Sequence, residues 1–224
     1  MDTTVFEAMS ALCRETGAIN LGQGFPDEHG PPELIAAASR ALADRSNQYP
    51  PSAGLAELRD AVAAFYLRRQ GLALAREAVI VTSGATEGIA VAVLALVRPG
   101  DEVILFQPAY DAYAPMVRRA GGVPVSVPLA PPAWRMERAA ITAAITPRTR
   151  AIMLNDPLNP TGTVADAADL AMLAELCVAH DLIAICDEVW EEVRFDGLRH
   201  RSLMALPGMA ARTVKIGSAG KIFG

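Results

Sequence analysis

Short apolar runs alternate with helix-like stretches through most of this chain, and this alternation restricts the fold more than any other feature. The runs are rich in β-branched and aliphatic residues, which is typical of strands buried on both faces. They cover residues 78–82, 102–106, 123–129, 151–154, 182–186 and 213–217. Helix-like stretches lie between them, at residues 86–97, 112–120, 137–145 and 167–180. The pattern predicts an α/β fold, with a mostly parallel sheet flanked by helices.

The first 45 residues do not follow this alternation. They contain a helix-like stretch at about residues 5–14, an extended stretch at 19–26 and a second helix after Pro31-Pro32. A turn-rich stretch follows at residues 49–54. We therefore predict an N-terminal arm and part of a smaller domain over residues 1–45, and a main domain over residues 46–224.

Composition and charge exclude several classes of function. The 224 residues carry a net charge of −5 with no block of Lys or Arg, which argues against a nucleic-acid partner. The longest apolar run, residues 89–97, is far shorter than the ~20 residues of a membrane span. Three cysteines without a close-set pair, and no secretion signal, favour reduced thiols and a cytoplasmic location. Three scattered histidines predict no metal site.

Ligands of such sheets bind beyond the carboxyl ends of the strands, so the residues that follow each strand are the candidates. Ser83-Gly84-Ala85-Thr86 lead directly into a helix. Free backbone N–H groups at a helix start bind anions, and Gly84 lets the backbone approach closely. The alternative is a tight connection without a ligand.

The next two strand ends offer an aromatic ring and amides. Tyr110 follows the strand at 102–106 and either stacks on a planar ligand or packs in the core. Asn155 and Asn159 follow the strand at 151–154 among prolines, which hold their amides rigidly. By itself this stretch is also compatible with an ordinary turn.

The last two strand ends supply a carboxylate and an amine. Asp187 lies at the mouth of a buried sheet, where a carboxylate is costly unless a positive group such as a protonated ring nitrogen meets it. The alternative for Asp187 is a helix cap or a surface acid. Its neighbour Glu188 points the other way, and we expect it to be a surface acid or a helix cap. Lys221 lies among small and apolar residues, which favours a partly desolvated, nucleophilic amine for a Schiff base. By itself it is also compatible with a solvated surface charge. Lys215 lacks that setting and is expected on the surface.

The order of these groups is more specific than any one of them. A phosphate site, a ring contact, an amide, a carboxylate and a lysine arrive on successive strand ends. Asn159 and Asp187 are 28 residues apart, and Asp187 and Lys221 are 34 apart. This set provides what a pyridine cofactor needs: an anchor for its phosphate and partners for its ring face, hydroxyl, ring nitrogen and aldehyde.

The sequence resembles the class I/II aminotransferases of the fold-type I family, which depend on pyridoxal 5'-phosphate (PLP). Residues 159–162 (NPTG) match one family motif, and residues 187–190 (DEVW) match the family's Asp-Glu-Val-Tyr motif. Residues 21–26 (LGQGFP) resemble the kynurenine, glutamine-phenylpyruvate and methionine aminotransferase branch. The resemblance implies that residues 46–224 are a PLP-binding large domain, incomplete at its C-terminus.

The resemblance also implies a role for each candidate. Lys221 would carry PLP as a Schiff base and move the proton during transfer, and Asp187 would pair with the pyridine nitrogen. Asn159 would bind the ring hydroxyl, and Tyr110 would stack on the ring. The remaining roles are phosphate binding, substrate contact and loop orientation. The Ala85 and Thr86 N–H groups, beside Gly84, and the Ser218 hydroxyl would bind the phosphate. Tyr49 would reach a phosphate in the neighbouring subunit of a homodimer. Gly24 and Asn159 would contact the substrate, and Asn155 would orient the loop.

Two departures from the family pattern stand out. Trp190 replaces a tyrosine whose hydroxyl meets the ring oxygen, and an indole N–H can only donate. The family also continues past the lysine with an antiparallel strand, a phosphate-binding Arg, the small domain and a carboxylate-binding Arg. We therefore expect these 224 residues to be an inactive fragment of a longer enzyme.

The favoured function is transfer of an amino group from an L-amino acid to a 2-oxo acid. A PLP-dependent cysteine-conjugate carbon–sulfur lyase would share every residue named and remains an alternative. A non-catalytic, aminotransferase-like sensing domain of a transcription regulator is disfavoured. Such regulators carry an N-terminal winged-helix DNA-binding segment, whereas we expect a short acidic helix at the start of this sequence. A nicotinamide-binding fold is disfavoured by the glycine spacing of residues 83–88.

Overall fold

The computed structural model describes residues 5–22 and 29–223. The chain divides into two compact units, one of Met1–Ser46 with Phe223–Gly224 and one of Asn47–Ile222. None of the helices within the described ranges is both long and apolar enough to span a bilayer.

The larger unit is built on a five-stranded sheet. Its strands are β1 (Glu102–Gln107), β2 (Val123–Pro128), β3 (Thr149–Asn155), β4 (Ile183–Asp187) and β5 (Thr213–Ile216). Their order across the sheet is β2-β1-β3-β4-β5, and every neighbouring pair is parallel. All carboxyl ends therefore lie at one edge of the sheet.

Helices cover both faces of this sheet. The helices of this unit are α3 (Ala56–Gln70), α4 (Gly84–Leu96), α5 (Tyr113–Arg119), α6 (Arg138–Ala144), α7 (Ala167–Ala179) and α8 (Ala219–Ile222). One apolar layer joins the sheet to α4 and α5, and the other joins it to α6 and α7. Fully buried Val, Leu and Ile side chains fill both, and each contributes about 1.5–3 kcal/mol of burial free energy. The predicted α/β sandwich with helices on both faces is confirmed.

Alternation along β4 determines which layer each side chain enters. Ile185 packs in the layer of α4 and α5, whereas Ala184 and Cys186 pack in the layer of α6 and α7. Asp187 and Glu188 continue this alternation, so their carboxylates lie on opposite sides of the sheet.

The predicted strand at residues 78–82 is wrong. Arg76–Ala78 form a 3₁₀ turn, Val79 after it is extended, and residues 79–82 pair with no strand of the described chain. Ile80 is 65% exposed, and the Val81 N–H donates to the Ala53 carbonyl oxygen. The β-branched run favours extended backbone, but a strand also needs a neighbour to complete its hydrogen bonds.

The smaller unit contains α1 (Val5–Thr16) and α2 (Pro32–Asp44), neither of which has a buried residue. After α1, the Asn20 side-chain amide donates to the Ser10 hydroxyl over 3.0 Å. The assignment of residues 1–45 to an arm and part of a small domain stays a prediction. Gly24, the predicted substrate contact, lies outside the described residues.

Candidate active site

Asp187 is the last residue of β4 and only 6% exposed. One carboxylate oxygen accepts a hydrogen bond from the Tyr113 hydroxyl over 2.5 Å, and the other accepts one from the Val189 N–H over 3.3 Å. Burial raises the pKa of Asp187, and these two hydrogen bonds only partly oppose that effect. In the described ranges no ion pair involves this carboxylate, and the charge of Lys215, which is paired with Glu188 and Glu191, is only a minor influence on the pKa of Asp187. The arrangement therefore suits a ligand that brings its own positive charge to Asp187.

Two tyrosines line the Asp187 side of the sheet. Tyr110 contacts Tyr113 edge to face, with ring centroids 5.6 Å apart and planes at 73°. Burial raises the pKa of Tyr110, with a smaller contribution from the charges of Asp111 and Asp187. Tyr113 was not among the predicted site residues. Its position at the start of a helix, three residues after Tyr110, was the available signal.

Asn155 connects the ends of β3 and β4. Its side-chain amide donates to the Asp187 carbonyl oxygen over 2.9 Å, and its oxygen accepts from the Asn159 N–H over 2.8 Å. The Asp156 N–H also donates to the Asp187 carbonyl oxygen, over 3.1 Å. Asn155 therefore fixes both the backbone of Asp187 and the turn that carries Asn159.

The first turn of α4 forms a potential anion site. The helix begins at Gly84, whose φ of +77° favours glycine. Ser83 precedes it without capping the helix through its side chain, and the Ser83 N–H donates to the Glu87 carboxylate. First-turn N–H groups such as those of Ala85 and Thr86 have no partner within their own helix and point toward incoming anions.

Lys221 lies in α8, just after β5. Its amine is 4.6 Å from the centroid of the Trp190 ring, and its backbone N–H lies 3.3 Å from the Ser218 hydroxyl oxygen. The residue is exposed, so the expected desolvation of its amine is wrong for this chain. Ala219 and Gly220 are too small to cover it. Trp190 and Asn159 border a cavity of about 330 Å³.

Tyr49 is not brought to this group of residues. It belongs to the larger unit, is 93% exposed and has a φ of +48°. Its predicted role involves a neighbouring subunit and stays a prediction.

The surface positions expected for Glu188 and Lys215 are wrong. Glu188 is 1% exposed, and the Lys215 side chain is 4% exposed. Alternation does turn Glu188 away from Asp187, but the opposite side of the sheet is covered as well. Tyr66 of α3 lies over the Lys215 amine, with 4.8 Å from that nitrogen to the ring centroid.

The carboxyl ends of the parallel strands in this α/β domain bring together a buried carboxylate, two tyrosine rings and the Asn155 amide. The profile of the family described as "Aminotransferase class I and II" matches residues 16–224. The chain belongs to this family, which confirms the resemblance seen in the sequence.

Several curated relatives are aminotransferases. A probable N-succinyldiaminopimelate aminotransferase of Mycobacterium tuberculosis is 52% identical over 99% of this chain. The methionine aminotransferase of Escherichia coli is 41% identical, and kynurenine–oxoglutarate transaminase 1 of rat is 38% identical, each over the whole chain. The chain spans 56% of the length of the first and third of these relatives and 58% of the second.

A solved structure supports the fold assignment. The N-succinyldiaminopimelate aminotransferase structure from M. tuberculosis matches 99% of this chain and 58% of its own, with a TM-score of 0.96 and 52% identity. The predicted fold of the fold-type I large domain is thereby confirmed.

Proposed function

We propose that this chain contributes the cofactor-binding part of a PLP-dependent aminotransferase, which moves the amino group of an L-amino acid to a 2-oxo acid. The observation that carries the proposal is Asp187, a buried carboxylate with two hydrogen-bond donors but no cationic partner among the described residues. A protonated pyridine nitrogen would supply the missing charge.

The other residues fit the same cofactor. The Asn159 backbone N–H donates to Asn155, which also binds the Asp187 backbone, and we assign the Asn159 side-chain amide to the ring hydroxyl. Tyr110 offers a ring next to Tyr113 for stacking. The first turn of α4 and the Ser218 hydroxyl offer donors to a phosphate. Bound PLP supplies an aldehyde that condenses with amines and a ring that withdraws electrons.

Lys221 is the residue we assign to holding the cofactor and carrying protons. Its amine lies against the Trp190 ring, which can steady a charged ammonium by a cation–π contact. The neutral form is the nucleophile, so further cover over this exposed lysine would favour reaction. Trp190 can donate a hydrogen bond but not accept one, so its contact to a ring oxygen would differ from that of a tyrosine.

Substrates and assembly are also proposals. Relatives named for N-succinyldiaminopimelate, methionine and kynurenine support an amino-acid donor and a 2-oxo-acid acceptor. The cavity beside Asn159 and Trp190 offers space for a substrate side chain. We propose a homodimer in which Tyr49 reaches the phosphate site of the second subunit, which is compatible with its exposed position.

The test is borohydride reduction of the intact protein with PLP, followed by peptide mass spectrometry. The pyridoxyl label should appear on Lys221, and Lys221→Ala should abolish it. A panel of amino acids with a 2-oxo acid should then give the new amino acid as product. Label on another lysine, or its persistence in Lys221→Ala, would remove the assignment. Release of pyruvate and ammonia from a cysteine conjugate, without oxo-acid-dependent product, would indicate the carbon–sulfur lyase instead.

A further inference from the structure

A buried group of charged residues lies on the side of the sheet opposite Asp187. We call it the Lys215 cluster, and it consists of Lys215, Glu188, Glu191, His200 and Tyr66. The side chains of Lys215, Glu188, Glu191 and His200 are each at most 4% exposed. The proposed function uses none of them directly.

Lys215 is the centre of the cluster. Its ammonium donates to the Glu188 carboxylate and, over 2.6 Å, to the Glu191 carboxylate. It also lies over the Tyr66 ring. Two carboxylates therefore share one buried cation, and removal of that cation would leave their negative charges uncompensated.

Both carboxylates have further donors. Glu188 accepts from the Ser202 hydroxyl over 2.8 Å and contacts the His200 Nε2 at 2.6 Å. Burial opposes ionisation of Glu188, yet the contacts with His200 and Lys215 keep its pKa below the ordinary value. Glu191 accepts from the Tyr66 hydroxyl over 2.8 Å and from the Gln70 side-chain amide.

The cluster is not suited to a metal ion. Ligand-type atoms of Glu188, Glu191 and His200 lie within 4.8 Å of one another. The Lys215 ammonium, however, already contacts both carboxylates and takes the place of a cation. Its role must be sought in the elements that it connects.

The cluster joins the two segments that carry the candidate site. Glu188 follows Asp187, and its N–H donates to the Ile216 carbonyl oxygen over 2.9 Å. Lys215 is paired with Cys186 across β4 and β5. A Cβ placed on Gly217 would lie 2.2 Å from the Tyr66 hydroxyl oxygen, so Tyr66 packs directly on the backbone that leads to Lys221.

We propose that Lys215 is a positioning residue for the cofactor site. By binding Glu188 and Glu191 on the opposite side of the sheet, it fixes the end of β4, which carries Asp187, against the end of β5, which leads to Lys221. Asp187 and Lys221 are thereby held at a fixed separation from each other. The inference rests on the proposed function for its consequence, but its structural part does not depend on PLP.

The test compares Lys215→Met with Arg138→Met in the intact protein. Arg138 forms an exposed ion pair with Glu175 and serves as the matched control. Amide hydrogen exchange is measured without PLP at Glu188 and residues 217–221, and also in α7. We expect Lys215→Met to raise exchange at Glu188 and residues 217–221 by about tenfold or more, with α7 still protected. The dissociation constant for PLP should rise about tenfold.

Tyr66→Phe provides a milder variant if Lys215→Met does not fold. It removes the hydroxyl bound to Glu191 but keeps the ring over Lys215, and should shift the same amides and the PLP affinity in the same direction by a smaller factor. The proposal would be overturned if Glu188 and residues 217–221 exchanged no faster in Lys215→Met or Tyr66→Phe than in Arg138→Met. A rise in exchange of the same size in α7 would also overturn it. Failure of the wild-type protein to bind PLP would instead overturn the proposed function, while the exchange pattern would still test Lys215.

Discussion

Asp187 and Glu188 are neighbours in sequence and both buried, but their surroundings are opposite. Glu188 has Lys215, His200 and Ser202 as partners, and its pKa is lowered. Asp187 has one tyrosine hydroxyl and one backbone N–H, and its pKa is raised by burial. Glu188 thus has a cationic partner within the chain, whereas Asp187 has only two neutral donors among the described residues. Under the proposed function, this difference assigns a structural role to Glu188 and a cofactor-binding role to Asp187.

Among these substitutions, Glu188→Gln should have the largest effect on the free energy of unfolding. Glu188→Gln removes the charge that faces Lys215 and His200. Lys215 keeps Glu191 as a partner, but two buried charge-assisted contacts are weakened, which costs about 3–5 kcal/mol of unfolding free energy. Asp187→Asn in the protein without PLP should cost less than about 1 kcal/mol, or stabilise it, because no cation is left unpaired. Denaturant unfolding of both variants measures the contrast. Equal losses would show that the two carboxylates do not differ as described.

When activity is measured instead of stability, Asp187→Asn should have a larger effect than Glu188→Gln. Asp187→Asn removes the charge that the proposed cofactor needs, and loss of one partner of a buried charge pair costs about 2–5 kcal/mol. We expect the transaminase rate of the intact protein to fall about 100-fold or more, with a weaker hold on PLP. Steady-state kinetics with saturating PLP measures this loss. A variant with the wild-type rate would exclude Asp187 as the ring-nitrogen partner.

The origin of this difference could be predicted only in part. Strand ends and their order indicated Asp187, Asn159 and Lys221, because the carboxyl ends of parallel strands meet at one edge. Alternation also predicted that Glu188 faces away from Asp187. It could not predict that this opposite side is buried, because the cover comes from Tyr66, which lies 125 positions from its partner Glu191.

The strand predicted at residues 78–82 failed for a related reason. Composition indicates that backbone is extended, but whether a neighbour pairs with it depends on distant parts of the chain. Lys221 illustrates the same limit: small neighbours predicted a desolvated amine, yet desolvation requires residues that pack over it. Local sequence thus predicted positions along the sheet edge, while partners and cover were set by tertiary contacts.

Asp156, on the Glu188 side of the sheet, should make the free energy of unfolding depend on pH. It is buried, one of its oxygens lies 3.6 Å from the His200 Nδ1, and burial raises its pKa to about 6. Because the folded-state pKa lies above the ordinary value of 3.8, its contribution to stability is full below about pH 4 and is lost as pH rises through 6. The wild-type protein should therefore lose about 2–3 kcal/mol over this range relative to Asp156→Asn.

Denaturant unfolding at pH 4, 5, 6 and 7 measures this difference between wild-type protein and Asp156→Asn. Arg138→Met, which lies outside the buried groups, should keep the wild-type pH dependence. A difference between wild type and Asp156→Asn that does not change with pH would show that Asp156 keeps its ordinary pKa in the folded protein.

Tyr113→Phe should have the smallest effect and should act only on the Asp187 side. It removes the hydroxyl proton donated to Asp187 over 2.5 Å and keeps the ring that contacts Tyr110. Loss of one hydrogen bond to a charged group costs about 1.5–3 kcal/mol at most, and a pyridinium nearby would offset part of it. We expect PLP affinity to fall about threefold to tenfold, with unfolding free energy in the absence of PLP changed by less than about 1 kcal/mol. The stability change is small because no cationic partner of Asp187 among the described residues loses its counter-charge, whereas Glu188 faces Lys215. A loss of stability as large as that of Glu188→Gln would mean that Tyr113, and not an outside ligand, compensates the charge of Asp187.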